Sequence, residues 1–171
     1  MRKSRAKVVP LLEEKIISIL EKDSRTTPKQ IAAMIGAPEK KVAETIKRLE
    51  KAGAIIKYGI VADREKLGKE EIVAAIEVKL TPQRGKGFDE VAQRIARFPE
   101  VKSVYLMSGA YDVLVFVEGK SLKEVSYFVA EKLAPLENVT STATHFLLKK
   151  YKEAGALLAG EEKAERLVIA P

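Results

Sequence analysis

The stretch TPKQIAAMIGAPEKKVAETIKRLEKAG, residues 27–53, constrains the fold more than any other part of the chain. Its apolar residues recur at helical spacing on both sides of a glycine. Thr27 is a natural N-cap, and Pro28 suits the first position of a helix. Ile31 and Ile35 fall on one side, with the small Ala32 beside them. Gly36 stands where a helix would need a left-handed residue to end. Pro38 is expected at the first position of the next helix, which runs to a second glycine stop at Gly53. In that helix Val42, Ile46 and Leu49 sit at i, i+4 and i+7 and form one apolar stripe. At about 100° per residue, Lys40, Lys47 and Lys51 fall on the opposite side, flanked by Lys41 and Arg48. Upstream, residues 10–22 carry a similar stripe of Leu12, Ile16, Ile19 and Leu20, opened by Pro10 and ended by Asp23 and Ser24. Three helices with a glycine-containing turn between the second and third read as a helix-turn-helix. A helix anchored by its apolar face and offering cations on the other suits the major groove of DNA.

The charge distribution points the same way. Of the net +7, residues 1–60 hold 14 Lys+Arg against 7 Asp+Glu, whereas residues 61–171 hold 17 of each. The whole excess lies on the segment with the paired helices. A basic module beside a neutral one argues for a polyanionic partner at one end and a different task at the other. The opening MRKSRAK reads as a loose basic arm.

Beyond residue 53 the period changes. Residues 54–70 read as a short strand and then a polar connector, and the domain boundary is expected within them. Residues 72–80 read as a strand and 85–98 as a helix with Phe88, Val91, Ile95 and Phe98 on one side. Residues 101–107 and 112–118 read as strands joined by Ser108, Gly109, Ala110 and Tyr111. Residues 121–134 read as a helix, with Leu122, Val125, Val129 and Leu133 inward, and 139–149 as the last strand. Strand–helix–strand occurs twice, the ferredoxin-like βαββαβ arrangement, with an antiparallel sheet and both helices on one face. The fold class is therefore α+β. The expected division is a helix-turn-helix domain at 1–60, a hinge at 61–70, a ferredoxin-like domain at 71–152 and a tail at 153–171. The strands at 101–107, 112–118 and 139–148 are too apolar for a sheet with one solvated face. The open face is expected to be buried against a second subunit, and a dimer would present two DNA-facing helices. In the tail, a short helix is expected near 161–166, and LVIA has the composition of an edge strand.

Some chemistries are excluded at once. The chain has no cysteine, hence no disulfide, thiol nucleophile or cysteine-held metal. It has no apolar run near transmembrane length, and Glu13, Glu14 and Lys15 interrupt the N-terminal apolar stretch where a signal peptide would have its core. A cytoplasmic protein without a membrane partner is expected. It has no glycine-rich phosphate loop, no nucleophile elbow and no carboxylate pair with a mechanistic spacing. His145 is the only histidine and has no ligand-spaced partners, so neither a metal nor a cofactor is expected.

In several separate motifs the chain resembles the Lrp/AsnC (feast/famine) family of transcriptional regulators. LLEEKIISILEKDSRTTPKQIAAMIG is similar to the family's opening helix, DxR-type turn and first helix-turn-helix helix. RLEKAGAIIKYGIVADREKLG is similar to its exit from the recognition helix into a hinge strand. EVKSVYLMSGAYDVLVFVEG is similar to the central strands of its sensing domain, with SGxYD between them. The resemblance spans roughly residues 8–152 and implies winged helix-turn-helix homodimers joined through the sensing domain, often assembled into octamers. It also implies a small effector, usually an amino acid, bound in clefts between neighbouring sensing domains, and control of gene expression. The chain departs from the family at Pro38, where many members carry Ser, at Thr45, where many carry Arg, and at Ala110, where an acidic residue is common.

These patterns nominate two sets of residues. Lys40, Lys41, Glu44 and Thr45, near the helix start, are candidates for base edges. Lys47, Arg48 and Lys51 are candidates for phosphates, which position without reading sequence. Thr27 and Gln30 lie at a helix N-terminus, which attracts anions. For the effector, the loop Ser108, Gly109, Ala110, Tyr111 and Asp112 offers backbone N–H groups for a carboxylate and an acid for an α-amino group. An ordinary hairpin turn, with Gly109 at positive φ, is the competing account. By analogy with the family, Thr142, Thr144 and His145 would line the same cleft. Two other functions fit parts of the pattern. Siroheme decarboxylases look like this family, but their chemistry would be expected to need several His and Arg. An effector-independent DNA-architectural protein would fit Ala110.

Overall fold

The computed structural model describes residues 11–68, 71–81 and 88–158, which fall into two compact units within Met1–Val61 and Ala62–Pro171. The basic arm, Pro10, the start of the helix expected at 85 and the tail elements expected near 161–170 lie outside the described residues.

The first unit is built from α1 (Leu11–Lys22), α2 (Pro28–Ile35) and α3 (Glu39–Lys51). Ile16, Leu20, Ile31, Ala32, Val42 and Ile46 form its core. Local chemistry sets the ends of α2. Thr27 and Gln30 make a reciprocal capping box, and Gly36 takes the left-handed conformation at φ 67°. Open space surrounds the position a Gly36 Cβ would occupy, so glycine is required there by backbone torsion and not by crowding. Pro38 stands one position earlier than expected. It is the N-cap of α3, extended at φ −62° and ψ 132°, and Glu39 opens the helix. Gly53 takes the expected left-handed turn after α3, at φ 69°. The short strand expected in residues 54–60 is absent: this segment is irregular. Hydrogen bonds hold it to the α1–α2 turn and to α3, Ser24 Oγ donating to Gly59 O at 3.0 Å and the Tyr58 hydroxyl to Glu50 Oε1 at 2.8 Å.

The second unit has the order β1 (Ile72–Leu80), α4 (Asp89–Ile95), β2 (Val101–Leu106), β3 (Val113–Gly119), α5 (Leu122–Phe128) and β4 (Val139–Phe146). The sheet order is β2-β3-β1-β4, with every neighbouring pair antiparallel. This is the expected ferredoxin-like topology. Alternation puts Ala74, Ile76, Val78, Val113, Val115 and Val117 on one face, where Ile95 of α4 and Val125 and Phe128 of α5 pack against them. The Phe98 and Phe128 rings meet edge to face at 5.5 Å. Gly119 ends β3 where α5 comes close, and a Cβ there would lie 2.9 Å from Val125 Cγ2. α5 continues as a π-helical turn, Val129–Leu133, that buries Leu133.

The opposite face carries Val73, Ala75, Leu114, Phe116, Tyr105 and Ala143, but also Glu77, Glu118 and His145. It is therefore more mixed than the apolar strands predict. A two-stranded hairpin, β5 (Lys152–Glu153) and β6 (Ala156–Leu157), follows β4 and turns through Ala154 and Gly155, both at positive φ. The sequence pattern did not indicate it.

Candidate nucleic-acid interface and effector loop

α3 buries Val42, Thr45, Ile46 and Leu49 and exposes Lys40, Lys41, Glu44, Lys47, Arg48 and Lys51. The apolar stripe and the basic face thus separate as the periodicity predicts, with one exception. Thr45 is 5% exposed, and its hydroxyl donates to Lys41 O at 2.8 Å. It sits three residues after Val42 and next to Ile46, on the buried arc, and so does not reach a base edge. Lys40, Lys41, Lys47 and Lys51 enter no ion pair among the described residues.

Arg48 is a second departure. Its Nη2 pairs with Oε1 of Glu13, a residue of α1 that is 8% exposed. Arg48 is therefore not simply a free cation on a solvated face. Glu13 was not among the residues nominated from the sequence, although a signal for it exists. It precedes Ile16 and Leu20 by three and seven residues, on the buried stripe of α1, where a carboxylate demands a partner.

At the start of α2, Gln30 N donates to Thr27 Oγ1 at 3.3 Å, while Thr27 N and its hydroxyl both donate to Gln30 Oε1 at 2.8 Å. Both side chains are exposed but already serve each other. Lys29 between them is an exposed cation that the pattern did not single out.

The loop between β2 and β3 divides into two parts. Ser108, Gly109 and Ala110 are exposed and Tyr111 is half-buried. Gly109 is not at positive φ, so the ordinary-turn account of that glycine does not hold. Asp112 is turned inward. Its Oδ2 accepts from Leu80 N at 2.8 Å, its N–H donates to Val78 O at 3.1 Å, and its carbonyl accepts from Met107 N at 2.8 Å. Asp112 fastens the loop to the end of β1, and this carboxylate is partly spent on a backbone donor.

Thr142, Thr144 and His145 do not share a surface. Thr142 pairs with Val78 and Thr144 with Ile76, on the helix side of the sheet. His145 pairs with Ala75 and points to the open face, where Nε2 lies 3.4 Å from Glu77 Oε1. Side chains alternate along a strand, so adjacent positions cannot line one cleft. Thr142 and Asp112 do flank the same end of β1. Among the described residues, no three His, Asp or Glu gather as a metal site, and no helix is long and apolar enough to cross a membrane.

Residues 11–56 match a family model described as a winged helix-turn-helix DNA-binding domain, and residues 73–157 match the Lrp/AsnC ligand binding domain. The chain is 48% identical over 160 residues to a Bacillus subtilis (strain 168) protein described as the uncharacterized HTH-type transcriptional regulator YugG, over 93% of this chain and 96% of that one. It is 35% identical over 146 residues to the HTH-type transcriptional regulator FL11 of Pyrococcus furiosus, over 85% of this chain and 93% of that one. Among solved structures, the transcriptional regulator NMB0573 of Neisseria meningitidis, crystallised as a complex with L-Met, superposes with a TM-score of 0.67. That match is 22% identical in sequence and covers 85% of this chain and 93% of the other, a likeness of fold.

Proposed function

The chain belongs to the Lrp/AsnC family of DNA-binding transcriptional regulators, and from that premise we propose that it binds double-stranded DNA in a sequence-selective manner as a homodimer whose assembly a small effector adjusts. It is a regulator and not an enzyme. The observation that carries the proposal is the outer face of α3, where Lys40, Lys41, Lys47 and Lys51 stand exposed and, among the described residues, without an ion pair, in the net-basic part of the chain. Unpaired lysines on a helix anchored by its other face release condensed counterions when they meet phosphates. Lys40, Lys41 and Glu44, near the helix start, are assigned to base edges, and Lys47, Arg48 and Lys51 to the backbone. Thr27 and Gln30 are assigned to a phosphate through the first turn of α2. A protein of this kind works where chromosomal DNA lies, in the cytoplasm.

The dimer is assigned to the open face of the sheet, with an octamer as the larger assembly. An amino acid is the proposed effector class, supported by the Neisseria regulator's complex with L-Met. The proposed contacts are Ser108, Gly109, Ala110 and Tyr111, with Asp112 shaping the loop from beneath and Thr142 beside it. If the effector favours one oligomer, it changes how many α3 helices are offered to DNA, and linkage requires DNA to change effector affinity in return.

The test is selection of duplexes from a random-sequence pool by the full chain, repeated with each amino acid at millimolar concentration. Enrichment of one motif, weakened by salt and altered by a particular amino acid, supports the proposal. A pool without enrichment overturns the DNA-binding part. A second account, an effector-independent architectural protein, draws on one observation: Ala110 brings no charge to the loop and Asp112 is engaged with Leu80 N. Enrichment without any thermal shift from any amino acid favours that account.

A further inference from the structure

We infer that Glu13 is a positioning residue for DNA contact, holding the Arg48 guanidinium so that its remaining N–H edge faces a backbone phosphate. The inference rests on α3 being the DNA-contacting helix. Glu13 lies in the first turn of α1 and is buried on the same stripe as Ile16 and Leu20, which belong to the core that α1, α2 and α3 share. Its ion pair is with Nη2 of Arg48, and the Arg48 side chain remains 63% exposed. One end of Arg48 is therefore tied down inside the unit while the rest stays in solvent.

Guanidinium chemistry makes this arrangement useful. The group has five N–H donors in a rigid planar fork. The ion pair with Glu13 holds the Nη2 end in place and leaves the other donors for a second acceptor on the solvent side. A buried carboxylate deprived of its cation is strongly unfavourable, so Glu13 holds Arg48 persistently. Among the described residues Lys40, Lys41, Lys47 and Lys51 have no such tether, and each must lose side-chain freedom when it meets DNA. Arg48 has lost it already, on folding. A phosphate contact fixes register on the duplex, so a preset contact in the last turn of α3 would fix how its first turn meets the bases.

The inference runs against charge counting, which makes it testable. Glu13→Gln removes a negative charge from a basic domain, so bulk electrostatics alone give tighter DNA binding with an equal or steeper salt dependence. Positioning gives weaker binding and a shallower one. The measurement is the slope of log K against log salt for the full chain on a duplex that the wild type recovers from a random pool. The slope for E13Q is expected to fall by about 0.9, the value of one lost phosphate contact, and affinity to fall several-fold. R48A should give the same slope, and E13Q added to R48A should change it no further. R48K keeps the charge but points a single ammonium at Glu13, so it should behave as R48A does. Unchanged or tighter binding by E13Q at the wild-type slope overturns the inference. If E13Q does not fold, R48K decides alone, and a wild-type slope overturns it. Failure to recover any duplex overturns the DNA-binding proposal itself. Recovery with unaltered slopes overturns only the role of Glu13.

Discussion

Thr45 shows how a residue's role follows from where its hydroxyl points. It lies beside Ile46 on the buried arc of α3, and its hydroxyl donates back to Lys41 O, one turn earlier. Thr45→Val removes a donor whose acceptor is already in the helix ladder. DNA affinity should be unchanged and stability should move by no more than about 1 kcal/mol, as read by binding titration and chemical denaturation. A larger residue effect is expected at Glu100. The Lys132 ammonium holds its carboxyl below its ordinary value of 4.5, helped by a backbone hydrogen bond and opposed by desolvation. Because the folded value lies below the unfolded one, this contribution is present above pH 4.5 and is lost as pH falls through the folded value. Among the described residues, Glu100 Oε2 is buried without a hydrogen-bond partner. Lys132→Met would take the ammonium away from the other oxygen, costing about 1–3 kcal/mol near neutral pH. The gap between variant and wild type should narrow as the pH falls below 4.5 and through the lowered folded value, measured by denaturation at a series of pH values.

The individual elements were largely legible because their signals are local. The capping box of Thr27 and Gln30, the left-handed Gly36 and the 3.6-residue stripe of α3 each lie within a few neighbours along the chain. Gly36→Ala puts a Cβ into a left-handed turn with nothing crowding it, so only the torsional cost remains, about 1–2 kcal/mol. Thermal unfolding of the first unit should shift down accordingly, and a shift near zero would mean the turn relaxes. Elements that depend on their surroundings were less legible. Residues 54–60 have strand-like composition but no partner strand among the described residues of the first unit, and without a ladder they stay irregular. The β5–β6 hairpin turns at Ala154 and Gly155, where Ala is not a residue associated with positive φ.

For the whole molecule, the sheet decides what can be buried next. α4 and α5 cover one face, and among the described residues no helix packs on the other. Tyr105 and Phe116 meet edge to face there at 6.2 Å, with Leu114, Val73 and Ala75 around them. Substituting Phe116→Asp puts a charge at the centre of this surface. The proposed dimer should dissociate to monomer in sedimentation or light scattering, and DNA affinity should fall with it. A variant that stays dimeric places the interface elsewhere.

The α+β class, the three-helix unit, the ferredoxin-like order and the basic face of α3 all follow from local pattern in the sequence. Periodicity, caps and charge counts are properties of neighbours in the chain, and a single sequence contains them. Tertiary structure decided which acid meets which base or donor. Glu13 finds Arg48 across two helices, and Asp112 finds the backbone of Leu80 across 32 residues of chain. Such pairings depend on how elements pack, because burial makes a lone charge unfavourable and only the folded geometry supplies its partner. Two of the residues nominated for binding, Arg48 and Asp112, therefore serve the fold as well as the surface.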